Sequence, residues 1–172
     1  MVKVNNYMTT KLKNIADIEI GGITIQAGET KQIKLQTVRL YNDSQMTIPI
    51  YVKRGKKPGP IIFVSAAIHG DELNGTFLCY QMMQELDPTL LKGDLVLIPI
   101  VNVLGFKVKR REFIDGTDLN RVMPGKKNGL PGEVFAYHFF NKVIVGTDYL
   151  FDLHTASKGR INTLYTRANL DN

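Results

Sequence analysis

The 172-residue chain has one cysteine, no tryptophan and no long apolar run. The single Cys79 excludes an intrachain disulfide and is typical of proteins in a reducing cytosol. No stretch approaches the roughly 20 apolar residues that a membrane helix needs. The opening residues, MVKVNNYMTTKLKN, lack the apolar segment of a signal peptide. We therefore predict a soluble, cytoplasmic protein that does not contact a membrane.

The charge is basic, with a formal net value of +6. Such a balance suits nucleic acid, a membrane surface or a small anionic ligand. The densest basic run is KVKRR, residues 107–111, and a solvated loop is its simplest interpretation. The chain has no zinc-finger spacing, no aromatic signature of RNA-recognition domains and no basic amphipathic helix. A nucleic-acid partner is therefore disfavoured.

Two sequence patterns meet at a turn-rich joint, KRGKKPGP, residues 53–60. Residues 17–53 contain short alternating apolar runs, broken by Gly-Gly and AGET, which indicate β-hairpins. We place a boundary at the joint. The predicted units are a β-rich amino-terminal segment, residues 1–55, and an α/β unit, residues 56–172.

Beyond the joint, apolar strands alternate with helical patterns. Continuous apolar runs are typical of strands covered on both faces, and they lie at 61–67, 93–101 and 148–153. ELNGTFLCYQMMQELD and PGEVFAYHFFNKVIVG have helical spacing, and Pro131 suits a first helical turn. This alternation predicts an α/β sheet with helices on its faces.

Ionisable side chains follow two of these strands. His69 and Glu72 come just after the first, and His154 closes the third. In open α/β sheets, sites form beyond the carboxyl ends of the strands. Two histidines and a glutamate with an open fourth position are a known catalytic zinc arrangement. The sequence therefore predicts one zinc ion bound by these three residues.

An alternative that needs no metal stays open for the same residues. Asp71 would be the N-cap of the following helix, and Glu72 in its first turn would face the helix dipole favourably. His69 would then be a hydrogen-bonded structural histidine. The second strand-end histidine favours the metal. The remaining one, His138, lies within a helical pattern and is interpreted as a packed or surface residue.

A long polar connection, residues 102–130, contains a second group of candidates in RREFIDGTDLNRVMPG. Connections of this length are often functional. Arg121 can offer a bidentate fork to a substrate carboxylate, and Asn120 can add a hydrogen bond. Arg111 can stabilise an oxyanion. Asp118 can accept the second N–H of a metal-bound imidazole. Turn formation and surface solvation are the simpler alternatives for each of them.

Three separated motifs resemble the succinylglutamate desuccinylase and aspartoacylase family, which is related to zinc carboxypeptidases. They are IHGDELNG, then IPIVNVLGF…RREFIDGTDLNRVMPG, then DLHTASKGR. The resemblance implies a three-layer α/β/α fold with a mixed sheet of the zinc-exopeptidase type. It also implies roles for seven residues: zinc ligands His69, Glu72 and His154, substrate-carboxylate contacts Asn120 and Arg121, carbonyl-polarising Arg111, and Asp118 as the hydrogen-bond partner of His69.

The implied activity is zinc-dependent hydrolysis of the amide bond of a small, anionic N-acyl amino acid. Two alternatives remain: a zinc carboxypeptidase acting on peptides, and a non-catalytic metal-binding or assembly module. The chain departs from the family pattern, because Asp171 is the only acidic residue after His154. The family's general-base glutamate lies further along. We therefore expect a truncated sheet with an open edge, which a homo-oligomer would cover, and little turnover by this chain alone.

Overall fold

The computed structural model describes residues 18–20, 23–39, 43, 45–157 and 159–168. Residues 1–17 of the predicted amino-terminal segment, and Asp171 near the carboxyl terminus, lie outside the described residues. The strands are β1 (Ile18–Ile20), β2 (Ile23–Ile25), β3 (Thr30–Arg39), β4 (Gln45–Arg54), β5 (Lys57–Ala66), β6 (Lys92–Ile98) and β7 (Tyr149–Leu153). The helices are α1 (Asn74–Glu85), α2 (Val103–Val108), α3 (Leu119–Val122) and α4 (Pro131–Phe139).

Five of the strands form one mixed sheet in the order β3-β4-β6-β5-β7. The pairs β3–β4 and β4–β6 are antiparallel, whereas β5 runs parallel to both β6 and β7. β1 and β2 form a separate antiparallel pair. The predicted α/β class with a mixed, open sheet is confirmed. Strands on both sides of the predicted boundary at residue 55 share this sheet, and the division into two units stays a prediction.

Side chains along the central strands alternate between two apolar cores. Successive residues of a strand point to opposite faces, so Phe63 packs in the core that contains Phe135 and Phe139 of α4. The next residue, Val64, packs in the core that contains Cys79 of α1. Helices therefore cover both faces of the sheet, which gives the predicted three layers.

Strand β7 lies at one edge of the described five-stranded sheet, and β3 lies at the other. It pairs only with β5 among the described strands. Its apolar side chains Tyr149, Leu150 and Phe151 are 58%, 45% and 53% exposed.

No helix in the described part of the chain is both long and apolar enough to cross a bilayer.

The amino terminus of α4 is stabilised by a carboxylate from a distant loop. Pro131 begins the helix, and the Gly132 N–H donates to Asp115 Oδ2 at 2.8 Å. The other oxygen accepts from the Thr117 N–H at 3.0 Å. Burial by itself raises the pKa of Asp115, but the hydrogen bonds from Gly132 and Thr117 outweigh it, and the pKa lies below its ordinary value. The loop before α4 is thereby fixed to the helix.

We expect Asp115→Ala to lower the free energy of unfolding by about 1 kcal/mol at neutral pH, the typical loss for a helix-capping side chain. A carboxyl with a depressed folded-state pKa stabilises the fold above its unfolded-state pKa of about 3.9. That contribution disappears as pH falls through the lower folded-state pKa. Urea unfolding at neutral and acidic pH should show the difference between the two proteins shrinking on acidification. Asp115→Asn, which keeps one acceptor oxygen, should lose less, and equal stability of Asp115→Ala and the parent protein would contradict the prediction.

Candidate metal centre

The first two candidate ligands lie in a turn between β5 and α1. The Glu72 N–H donates to the His69 carbonyl at 3.1 Å, which closes the turn. The helix begins only at Asn74, with Leu73 as its N-cap and no side-chain cap. The interpretation of Asp71 as N-cap, with Glu72 in the first helical turn, is therefore wrong. The turn places Glu72 before the helix, and its side chain and that of His69 are only 3% and 2% exposed.

The third candidate, His154, reaches the same place because of the sheet topology. Strands β5 and β7 are parallel neighbours, with Ala66 paired to Leu153. The residues that follow both strands therefore leave the sheet at one edge. His154 Nδ1 lies 2.9 Å from Glu72 Oε2, and His69 Nδ1 lies 2.9 Å from Glu72 Oε1. The two imidazole rings are 4.9 Å apart, centroid to centroid.

This geometry is suited to a metal ion. One donor atom from each of His69, Glu72 and His154 lies within 4.8 Å of the others. Tetrahedral ligands placed 2.0–2.1 Å from zinc are about 3.3 Å from one another, which is compatible with that spread. Both Nδ1 atoms face a single carboxylate, and two imidazoles with one carboxylate are a ligand set that zinc accepts. The fold thus brings the three predicted ligands together.

The outward-facing nitrogen of each imidazole lies beside a second carboxylate. His69 Nε2 is 3.3 Å from Asp118 Oδ1, and His154 Nε2 is 2.7 Å from Asp152 Oδ2. The hydrogen bond with Asp152 is the main cause that raises the pKa of His154, against the opposing effect of burial, and Glu72 adds to it. Burial alone raises the pKa of Asp118, but Arg111 and His69 outweigh it, so that pKa is lowered. Both imidazoles are therefore oriented with Nδ1 towards the candidate metal position.

Arg111 lies on the same side of the site as these donor atoms. Its Nε and Nη2 both donate to Asp118 Oδ2, at 3.2 and 3.0 Å. Its Nη1 donates to Glu72 Oε1 at 3.2 Å and to Ser157 Oγ at 3.0 Å, and lies 3.2 Å from His69 Nδ1. The Arg111 side chain is 31% exposed, so its guanidinium contacts both the candidate ligands and the solvent.

The buried side chain of Asn102 fixes the loop that places Arg111. It accepts from the Gly105 N–H at 2.9 Å and so caps α2. Its amide donates to the carbonyls of Arg111 and Glu112 at 3.3 and 3.1 Å. The Gly70 N–H also donates to the Arg111 carbonyl, at 3.4 Å. The strand-end turn and the arginine loop are therefore fixed to each other through their backbones.

Asn120 and Arg121 lie in the short helix α3, whose N-cap is Asp118. The Asn120 N–H donates to Asp118 Oδ1 at 3.1 Å, and Arg121 Nε is 3.5 Å from Asp118 Oδ2. The Arg121 side chain is 82% exposed. Asp118 thus connects both residues to His69 and Arg111, while the side chains of Asn120 and Arg121 remain accessible to a ligand.

Three contributors were absent from the sequence prediction. Asp152 contacts His154, while the Thr155 N–H and the Ser157 hydroxyl donate to Glu72 at 3.0 and 3.3 Å. Asp152 had a signal, since a residue two positions before a strand-end histidine points to the same face. Thr155 and Ser157 follow β7 in irregular backbone, which has no periodic pattern from which their direction can be predicted.

Comparison with known proteins gives consistent results. The sequence model of the succinylglutamate desuccinylase/aspartoacylase catalytic domain matches residues 58–172. An N-alpha-acetyl-L-2,4-diaminobutyric acid deacetylase from Halomonas elongata is 30% identical over 113 residues, which cover 64% of this chain and 32% of that protein. The chain therefore spans about a third of the length of this curated relative.

Solved structures share the fold. A succinylglutamate desuccinylase/aspartoacylase from Rhodobacter sphaeroides matches with a TM-score of 0.68 and 25% identity, over 74% of this chain and 40% of that one. The product-bound ectoine utilization protein EutE (DoeB) from Ruegeria pomeroyi matches with a TM-score of 0.67 and 25% identity, over 83% of this chain and 44% of that one. In both, the matched part is less than half of the solved chain.

Proposed function

Because the chain belongs to the succinylglutamate desuccinylase/aspartoacylase family, we propose that it is the zinc-binding part of an enzyme that hydrolyses the amide bond of small N-acyl amino acids. One observation supports this most directly. His69 Nδ1 and His154 Nδ1 each lie 2.9 Å from an oxygen of the same buried carboxylate, Glu72. Two imidazole nitrogens and a carboxylate that lie this close together are a ligand set that zinc accepts, and one zinc ion per chain would bind all three groups.

In the proposed reaction, His69, Glu72 and His154 would hold the zinc ion, which would supply Lewis-acid chemistry for polarising the scissile carbonyl and activating water. The chain's own groups orient the zinc ligands and bind the carbonyl oxygen. Asp118 and Asp152 accept the outward N–H of the two imidazoles, which keeps Nδ1 free to bind metal. Arg111, whose Nη1 borders Glu72, donates to the carbonyl oxygen and stabilises its developing negative charge.

The proposed substrate class is based on the exposed side chains of Arg121 and Asn120 beside the three candidate zinc ligands. Arg121 presents a guanidinium to solvent, and we propose that it binds the substrate carboxylate with help from Asn120. The Halomonas relative is a deacetylase of N-alpha-acetyl-L-2,4-diaminobutyric acid, whose scissile amide stands next to a carboxylate. The same arrangement in this chain would bind the carboxylate of a small acyl amino acid. A cytoplasmic location and a homo-oligomer remain predictions.

The proposal is tested with the purified chain, with and without one equivalent of zinc. Isothermal titration calorimetry would measure binding of N-acetyl-2,4-diaminobutyrate and N-succinylglutamate, of their carboxyl methyl esters, and of a tripeptide with a free carboxyl terminus. A fluorescent amine assay would follow amide cleavage. We expect zinc-dependent binding of the free acids and weak binding of the esters. Preference for the tripeptide would favour a carboxypeptidase, and a chain that binds zinc but none of the compounds would favour the metal-binding module.

We expect Arg121→Ala to weaken binding of N-acetyl-2,4-diaminobutyrate by about 10–100-fold, because a hydrogen bond to a charged group contributes about 1.5–3 kcal/mol. Zinc content should not change, since Arg121 contacts none of the three candidate ligands. Arg110→Ala is the matched control, because it removes another exposed arginine and the same net charge from the neighbouring loop. Equal weakening by both substitutions would indicate a general charge effect and would contradict the assigned role.

A further inference from the structure

We propose that Asp152, anchored by Ser65, is a positioning residue for His154: it fixes the tautomer and the ring orientation in which Nδ1 is available to a metal ion. The inference rests on the proposed zinc site and extends it to two residues outside the predicted ligand set. It concerns the chain's own geometry, and zinc affinity and the spectrum of a substituted metal can test it without measuring catalysis.

The pair is built by the register of two neighbouring strands. Ser65 of β5 and Asp152 of β7 are direct partners across the parallel pair. The Ser65 hydroxyl donates to Asp152 Oδ1 at 2.6 Å, and Asp152 Oδ2 lies 2.7 Å from His154 Nε2. Each carboxylate oxygen thus has one partner. Since Ser65 is 3% exposed in β5, which pairs with a strand on each side, it fixes the Asp152 carboxylate to an interior strand of the sheet.

The contact between Asp152 and His154 determines which imidazole nitrogen carries the proton. A neutral imidazole has one N–H donor and one acceptor nitrogen. A carboxylate can only accept, so Asp152 favours the tautomer with the proton on Nε2 and leaves the Nδ1 lone pair for the ion. In the other tautomer the proton on Nδ1 would point at the metal position and would have to leave before binding.

His154 depends on Asp152 more than His69 depends on Asp118. His69 is buried, and both Asp118 and the Arg111 loop surround it. The His154 side chain is 32% exposed, and its hydrogen-bond partners in the described part of the chain are Glu72 and Asp152. Without Asp152 the ring would keep Glu72 as its remaining hydrogen-bond partner in the described part of the chain, and ordering the less restrained ring would oppose metal binding.

The test compares Asp152→Asn, Ser65→Ala and the control Asp148→Asn in the complete 172-residue chain. Asp148 precedes the same strand, but its carboxylate accepts from the Ile61 N–H at 2.9 Å and lies at the other end of β7. Zinc affinity would be measured by competition with a chromophoric chelator. The visible absorption of the cobalt-substituted chain would report ligand geometry. Thermal unfolding in the presence of EDTA would report metal-free stability.

We expect Asp152→Asn to weaken zinc binding by about 10–100-fold, the usual effect of losing such an outer partner, and to change the cobalt spectrum. Ser65→Ala should weaken binding less, because the carboxylate remains, and Asp148→Asn should bind zinc as the parent chain does. Unchanged affinity and spectrum in Asp152→Asn would overturn this inference alone. The same would follow if zinc affinity fell only in proportion to metal-free stability across all variants. A parent chain that binds no zinc would overturn the proposed function together with the inference.

Discussion

Replacing His69 with alanine is expected to lower the zinc affinity of the chain by more than about 100-fold. Loss of a group that only orients a metal ligand already weakens binding by about 10–100-fold, and this substitution removes one of the three proposed ligands. His154→Ala should have a comparable effect, since either variant leaves one imidazole and one carboxylate. Both variants should also lack the zinc-dependent stabilisation of the parent chain, because a ligand that binds only the folded state raises its stability.

Metal content after dialysis and competition with a chromophoric chelator measure this effect directly. His138→Ala is the matched control, because it removes the remaining histidine of the chain, which lies in α4 outside the candidate centre. The control should retain one zinc per chain with parental affinity. Parental zinc content in both His69→Ala and His154→Ala would refute the proposed centre, whereas loss in all three variants would point to a non-specific effect of histidine number.

Gly70→Ala is expected to lower the free energy of unfolding by about 3 kcal/mol or more, at the upper end for overpacked sites. A Cβ atom at this position would lie 2.1 Å from the Gly105 carbonyl carbon, 2.3 Å from the Phe106 nitrogen and 2.6 Å from the Arg110 carbonyl oxygen. All three are backbone atoms and cannot rotate away. Helix α2 and the loop that contains Arg111 would therefore have to separate from the turn that contains His69, which should weaken zinc binding as well.

Urea unfolding in EDTA would measure the loss of stability, and chelator competition would measure the loss of zinc affinity. Gly116→Ala separates steric overlap from backbone strain. Gly116 has a φ of 86°, yet a Cβ there would meet no atom within 4 Å. Its substitution should cost about 1 kcal/mol, the typical strain of a side chain in the left-handed region, and should leave zinc binding unchanged. If Gly70→Ala lowered the free energy of unfolding no more than Gly116→Ala, the close packing between the His69 turn and the Arg111 loop would be contradicted.

The central strands could be predicted because continuous apolar runs already show that both faces are buried. Phe63 and Val64 are consecutive, and they do pack in opposite cores. The position of the candidate centre also followed from sequence, since His69 and His154 each follow an apolar run. The expectation that both runs are buried is wrong for β7, because Tyr149, Leu150 and Phe151 are exposed in the described structure. Parallel strands place their carboxyl ends at one edge of the sheet. His69 and His154 therefore come together if β5 and β7 are neighbours, as they are.

The features that escaped prediction depend on local hydrogen bonds or on register. The helices α2 and α3 within the 102–130 connection are too short for a periodic pattern, and the side chains of Asn102 and Asp118 cap them. The start of α1 was misplaced because the turn that ends at Glu72 resembles a helix amino terminus in composition. The contact between Ser65 and Asp152 depends on which residues of two distant strands pair, and a single sequence does not contain that information.

The place of β7 in the sheet has a thermodynamic consequence. This strand contains Asp152 and leads directly into His154, yet it has a neighbour on only one side within the described sheet. Any polypeptide that hydrogen-bonded along its outer edge would restrict the same backbone whose conformation sets the third ligand. Linkage is reciprocal: if such pairing tightened zinc binding by a given factor, zinc would strengthen the pairing by the same factor. If the proposed centre binds zinc, metal binding and strand pairing along this edge would therefore be coupled equilibria.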